Sequence, residues 1–317
     1  MNKKLFFFLA SLGLALVIQA SVFSQDQTKT APPASEWVRV ESDDGEFSVE
    51  MPGEPVYFAD RDGFFFTHPI SGVSELKEMQ MLTAAVDGTY MSVEIYRTAN
   101  PKGFIDAFLP YTGLDISKIK TDVKDFTIRR GEFDRSYEKV RKLTENVNFE
   151  VRFIASKTHY YVVTVWNRGP ASAAAGRFLD SLRLGVRPAG ERPVKISTFN
   201  PLRIDEIGGE LTKKEAAALP DPPKYENGAP GTPFVLFVPQ PGITFTAREA
   251  RTKGVMRFKV TYSKEGRVSK ILLVAGLPGG LNRLAFFSIL RTKFLPAEEN
   301  GRAVDFERVI TYDYTRN

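Results

Sequence analysis

The 317-residue chain contains no cysteine. That absence excludes disulfides, thiolate zinc sites, iron–sulfur ligation, a cysteine nucleophile and a cysteine-linked lipid anchor. Histidine occurs only twice, as His68 and His159, so a His-rich metal site or a His pair at i, i+4 spacing cannot form. Ser181 lies in Leu179-Asp180-Ser181-Leu182, without the Gly-x-Ser-x-Gly context of a nucleophile elbow, and reads as a helix-end residue. The run Asp43-Asp44-Gly45-Glu46 lacks the twelve-residue spacing of a calcium loop and reads as a hairpin turn. Gly276 to Gly280 precedes a helix, but no Lys-Ser or Lys-Thr follows, so it reads as a plain loop rather than a phosphate cradle. His159 follows Lys157-Thr158 in a turn between strands and has no companion nearby in sequence; it reads as a solvated turn histidine, as does His68 before Pro69. These absences imply a non-enzymatic protein with no cofactor and no metal.

Hydrophobic content is 43% and aromatic content 12%, ordinary for a folded chain long enough for two domains, each with its own core. Net charge is +5, and basic residues outnumber acidic ones by about two to one from Ile243 onward. A basic module of this kind suits nucleic acid, an anionic surface or acidic protein segments. The N-terminus decides among them. Lys3-Lys4 precedes an almost wholly apolar run, Leu5 to Phe23, and Val22-Phe23-Ser24 before Gln25 fits the small-residue cleavage rule. Residues 1–24 therefore read as a signal peptide or an N-terminal anchor, with residues 25–36 a polar tether. The rest of the chain is expected outside the inner membrane, in the periplasm or anchored facing it. Nucleic acid is not expected as a partner, and membrane contact only through residues 5–23 if uncleaved.

From Trp37 the pattern is one of strands. Trp37 to Val40 and Phe47 to Pro52 form a hairpin, and Met79 to Ala85 pairs with Tyr90 to Tyr96 across Asp87-Gly88. Further strands are expected at 126–133, 137–143, 148–155 and 159–165, with helices from Pro101 to about Leu109 and after Pro170. Phe64-Phe65-Phe66 reads as a strand buried on both faces or as an exposed apolar patch. Residues 187–239 carry the highest proline density and read as a linker with one short helix, Leu211 to Leu219, opened by a capping box of Thr212 and Glu215. Fully extended, such a linker spans on the order of 150 Å.

The tail is punctuated most closely. Arg257 to Tyr262 alternates polar and apolar, Lys264 to Arg267 turns, and Val268 to Val274 returns. Leu281 to Lys293 is a helix with an apolar stripe of Leu281, Leu284, Ala285, Phe287, Ser288 and Ile289. Val304 to Tyr314 is a last alternating strand. Arg257, Lys259, Lys264, Arg267 and Lys270 read as a solvated sheet face.

Over about Gln240 to Thr315 this order resembles the TonB C-terminal domain family. Pro241 to Arg251 is similar to its opening "YPxxAR" segment, with Thr246 where a proline is usual. Glu265-Gly266-Arg267-Val268 resembles its "DGRV" turn, and Lys293-Phe294-Leu295-Pro296-Ala297 with Asn300 to Val304 resembles its "WRFxPA…GxPV" ending, the tryptophan being replaced. Residues 37–186 resemble PsbP/Mog1-like domains at their two ends, through Phe47 to Pro55 and through Tyr160 to Val165 followed by Arg177 to Leu184. The expected fold is thus α+β: an N-terminal antiparallel-sheet α/β sandwich over 37–186 and a small ββαβ module over 240–317.

The first resemblance implies a protein partner, an outer-membrane transporter, whose segment adds as a strand beside the last strand. The edge residues it implies are Glu307, Arg308, Val309, Ile310, Thr311, Tyr312 and Asp313. Phe306, Ile310, Tyr312 and Tyr314 are expected to face the helix, with Arg308 the exception on that side, and Glu307, Val309, Thr311 and Asp313 to face away. The cleavable leader and the folded domain before the linker depart from the family's energy transducers, so docking without force transmission is expected. Two other classes stay open: a hydrolase or ligand-processing enzyme with convergent Asp, Glu or His residues in the first domain, and a purely structural periplasmic module.

Overall fold

The structure is a computed structural model; it describes residues 37–61, 64–68, 72–99, 120–123, 127–131, 146–156, 158–185, 192–220, 227–239 and 241–315. The expected leader and tether, the helix from Pro101 and the strand at 137–143 lie outside the described residues. Among those described, the fold is mixed α+β, mostly strands with few helices. No described helix is long and apolar enough to cross a membrane.

Strands β1 (Trp37–Glu41) and β2 (Phe47–Pro52) form the expected hairpin over Ser42 to Glu46, where Gly45 takes φ +76°. The chain then lays down β3 (Val56–Asp60), β4 (Phe64–His68), β5 (Gly72–Val86), β6 (Thr89–Thr98), β7 (Lys120–Val123), β8 (Thr127–Gly131), β9 (Val147–Ala155) and β10 (His159–Arg168). They make one large antiparallel sheet in the order β4-β5-β6-β10-β9-β8-β7, with β3 also paired to β5. Asp87 and Gly88 both have positive φ, 48° and 68°, the geometry a two-residue hairpin needs to match strand twist. Strand β4 lies where the Phe64 to Phe66 run was read; its side chains, and that of His68, lie outside the described residues.

Helix α1 (Ala173–Asp180) starts three residues after Pro170, because Ser172 is its N-cap and accepts from the Ala175 N–H. It packs with the small sheet formed by β1, β2, β11 (Arg183–Leu184) and β12 (Val194–Lys195) onto one face of the large sheet. The two central strands are buried on both faces. Met91, Val93, Ile95, Tyr161, Val163 and Val165 face that small sheet and α1, whereas Tyr96, Tyr160 and Val162 face the C-terminal module.

The proline-dense segment does not run out as an extended spacer. After β12 it makes a 3₁₀ turn (Ile196–Thr198), α2 (Ile204–Ile207), β13 (Gly208–Glu210), α3 (Lys213–Ala218) with the expected capping box of Thr212 and Glu215, and β14 (Phe234–Phe237). Ile196, Phe199, Ile207, Phe234 and Leu236 are buried, and their apolar area anchors the segment against both halves.

The tail consists of β15 (Ile243–Thr244), α4 (Phe245–Glu249), β16 (Val255–Tyr262), β17 (Val268–Ala275), α5 (Leu281–Leu290), β18 (Lys293–Leu295), β19 (Ala297–Glu299), β20 (Arg302–Val304) and β21 (Phe306–Asp313). Its main sheet has the order β13-β17-β16-β21. Strand β15 pairs with β4, and β18 with β14. Helix α5 stops three residues short of the expected Lys293 because Lys293 to Leu295 is drawn into that second pairing. Phe286 and Leu290, outside the expected stripe, are buried as well, since α5 lies between two sheets and is covered almost all round. One cluster joins Met79, Met81, Tyr96 and Tyr160 of the large sheet to Phe258, Leu284, Phe287 and Tyr312 of the tail. The tail therefore shares its core with one face of the large sheet, while the other face closes a separate core with β1, β2 and α1.

Candidate functional site

Strand β21 lies at one end of the tail sheet. It pairs antiparallel with β16 from Phe306 opposite Tyr262 to Asp313 opposite Val255, and no other described strand pairs with it. The opposite end of the same sheet is the short strand β13, which runs parallel to β17 from Gly208 to Glu210. The two edges of the sheet are thus β21, with eight residues, and β13, with three.

The phase of the ladder follows from one bond. The Tyr314 N–H donates to the Gly254 carbonyl at 2.8 Å, which makes 254 and 314 a directly hydrogen-bonded pair. In an antiparallel ladder such pairs alternate with pairs whose backbone groups point away. Tyr312, Ile310, Arg308 and Phe306 therefore bond to β16, and the N–H and C=O groups of Asp313, Thr311, Val309 and Glu307 point to the outer edge. Side chains alternate in the same phase. Tyr312 and Tyr314 enter the core, with Phe306 and Ile310 packed against it and Arg308 half-buried, while Glu307, Thr311 and Asp313 are exposed and Val309 half-buried. The face assignment made from alternation thus matches the structure.

The edge is backed by an aromatic contact and carries charge. Phe258 and Tyr312 meet edge-to-face at 6.4 Å beneath it. Lys259 Nζ bonds Glu307 at 2.8 Å, and that contact holds the Glu307 carboxyl below its ordinary range against a smaller opposing effect of burial. The Lys264 N–H donates to Asp305 at 2.8 Å and fixes the entry to the strand. Charges alternating with Val309 and Ile310 discourage indiscriminate strand pairing along an open edge.

Behind this sheet, α5 and β18 are tied to the large sheet by polar groups that sequence reading missed. Glu94 is fully buried on β6. It accepts from Arg291 Nε at 2.6 Å, Lys293 Nζ at 2.8 Å and the Tyr96 hydroxyl at 2.6 Å, and Lys293 also bonds Ser92 Oγ at 2.8 Å. Burial alone would raise the Glu94 pKa, but Arg291 and then Lys293 overcome it and bring it down to about 2. Burial pushes the Lys293 ammonium below its ordinary value, with Glu94 opposing. Trp166 Nε1 donates to the Phe294 carbonyl at 2.7 Å, and Arg283 bonds both oxygens of Asp60 at 2.6 Å. The signal available in sequence was a lone acid, Glu94, inside the strand Tyr90 to Tyr96; its partners lie about two hundred positions away, beyond any local pattern.

Other residues weighed in the sequence fall as follows. Ser181 caps α1, its hydroxyl donating to the Phe178 carbonyl at 2.7 Å and accepting from the Glu50 N–H at 2.8 Å. In the glycine loop, Asn282 Oδ1 accepts from the Leu277 N–H at 2.9 Å, so the side chain of the helix's second residue fills the space a ligand would need. His159 departs from the reading as a lone turn histidine: the fold brings it beside Asp44 and Glu46.

No family model matches this chain, and no curated protein matches it.

Proposed function

We propose that this chain is an exported, non-enzymatic protein of the cell envelope that takes up an extended segment of a protein partner along the outer edge of β21. In this reading residues 37–186 are a PsbP/Mog1-like α/β sandwich and residues 240–317 a TonB C-terminal-like module. The partner class is the periplasm-facing segment of an outer-membrane transporter, and the setting is TonB-type transport across the outer membrane. The observation that carries the reading is the outward backbone of Glu307, Val309, Thr311 and Asp313, beside which no described strand lies, while the other end of the sheet is the short β13 of three residues. An incoming strand gains main-chain hydrogen bonds there, and the exposed side chains set its preference.

The packing behind the edge supports docking over force transmission. Helix α5 is enclosed between two sheets, and residues 194–237 contribute a strand to each of three sheets of the fold, so the module is held against the rest of the chain instead of hanging on a stalk. The test uses synthetic peptides copied from the periplasm-facing termini of outer-membrane transporters of the source organism. Amide exchange at Val309 and Thr311 should slow on peptide addition, and Val309→Pro should abolish binding. Binding that survives the proline, or protection confined to residues away from 307–313, would overturn the reading.

A further inference from the structure

We propose that Asp44, Glu46 and His159 bind one divalent transition-metal ion of the zinc class, clamping the β1–β2 turn to the start of β10. The three residues present one ligand atom each, all within 4.8 Å of one another. His159 Nδ1 lies 3.3 Å from Asp44 Oδ2 and 3.7 Å from Glu46 Oε2. Ligands held at about 2.1 Å around a tetrahedral ion stand roughly 3.4 Å apart, between those two separations. A plain charge-assisted hydrogen bond would draw such atoms to about 2.7–2.9 Å. The two imidazole–carboxylate separations are instead wider than that, and the carboxylate oxygens stand no more than 4.8 Å apart.

The remaining oxygens are engaged in ways that leave these donors aimed inward. Asp44 Oδ1 accepts from Ser42 Oγ at 2.7 Å and from the Glu46 N–H at 3.0 Å, which orients Oδ2 toward the imidazole. Glu46 Oε1 receives the Thr158 hydroxyl at 3.4 Å; Thr158 Oγ1 also contacts His159 Nδ1 at 3.0 Å, a hydrogen bond that an ion bound at Nδ1 displaces. Lys195 braces the same turn from its carbonyl side, donating to the Ser42 and Asp43 carbonyls at 3.0 and 3.2 Å.

A second observation points to a ligand. Glu46 Oε2 and the Tyr161 hydroxyl are both shut off from solvent and have no partner within hydrogen-bond geometry. Tyr161 is 0% exposed, with its ring stacked on Phe47 at 4.9 Å and 6.0 Å from the His159 ring. Tyr161 stands two residues after His159 on β10, so both side chains leave the same face of the strand. An ion among the three donors gives Glu46 Oε2 its missing partner, and a water in the fourth position gives Tyr161 an acceptor. Two carboxylates and one imidazole suit zinc, manganese or iron better than calcium, which prefers six or more oxygens.

Tag-free full-length protein, stripped with chelator, is titrated with zinc chloride by calorimetry and by ¹⁵N spectra of its two histidine rings. The expected result is one ion per chain and movement of the His159 Nδ1 resonance to a metal-bound position. Asp44→Asn, Glu46→Gln and His159→Gln should each weaken binding by about tenfold or more. Absence of saturable one-to-one binding, a His159 signal unmoved at saturation, movement of His68 alone, or folded variants binding like wild type would each overturn the proposal. Should a variant fail to fold, the wild-type ring spectrum decides alone.

Discussion

Replacing Glu94 with glutamine keeps the shape of the side chain and removes the one negative charge between Arg291 and Lys293. Glu94 has no solvent exposure, and both cations are buried with it, so no water replaces the lost charge. A carboxyl brought from its ordinary 4.5 to about 2 stabilises the folded state by roughly 3 kcal/mol at neutral pH. Breaking one side of a buried ion pair costs about 3–5 kcal/mol, the same order. The sign with pH follows from the depressed value. The contribution is complete above about pH 4.5 and disappears as pH falls toward about 2, where the folded-state carboxyl itself protonates. Urea unfolding followed by tryptophan fluorescence measures this. Of the two tryptophans, Trp166 sits at the seam, buried and bonded to the Phe294 carbonyl, and reports on its opening. Glu94→Gln should lose about 3 kcal/mol at pH 7 and little near pH 2. A loss under 1 kcal/mol at pH 7, or an equal loss at both pH values, would refute the argument that an uncompensated buried charge is the cause. Changing the trio together, Glu94→Leu with Arg291→Met and Lys293→Met, should recover much of the loss, since no buried charge is then left unpaired.

Three further outcomes follow from packing and backbone geometry. Val309→Pro should change stability by about 1 kcal/mol or less, because its N–H points away from β16 and edge strands tolerate proline, whereas Ile310→Pro breaks the ladder and should cost about 3 kcal/mol; paired denaturation curves distinguish them. Gly266→Ala should destabilise by about 1–3 kcal/mol, since Gly266 holds φ +73° and a Cβ there would be driven into the Tyr90 ring, so a lowered melting temperature is expected. Phe287→Ala should cost about 3–5 kcal/mol, because Phe287 fills the shared core and packs edge-to-face on Phe58 at 6.1 Å; a melting curve unchanged by it would mean that α5 does not bridge the halves.

The strand of the candidate site was legible because its information is local. Phe306 to Tyr314 alternates, and alternation alone assigns Glu307, Val309, Thr311 and Asp313 to one face. The turns at Asp87-Gly88 and Glu265-Gly266 were equally legible, since glycine there answers a backbone need met within two residues. The proline-dense segment was harder. Prolines mark where a chain cannot continue a helix or a ladder, but Ile196, Phe199, Phe234 and Leu236 decide whether it detaches, and their burial depends on surfaces distant in sequence. The stripe on α5 was drawn too narrow for the same reason: a helix enclosed by two sheets has no solvent face to give it period.

Residue order alone, through strand periodicity, turn chemistry and capping, was enough to establish a framework of antiparallel hairpins, a tail of two strands, helix and strand, and an edge strand with a polar outer face. It left open which surfaces meet. Glu94 finds Arg291 across 197 positions, and His159 finds Asp44 across more than a hundred, because both faces of β6 and β10 are covered and hairpins place their ends together. Local pattern reports whether a side chain is destined for the interior; only the packed layers decide beside which partner it arrives, since that choice is made by the burial of whole faces and not by any residue's own neighbours.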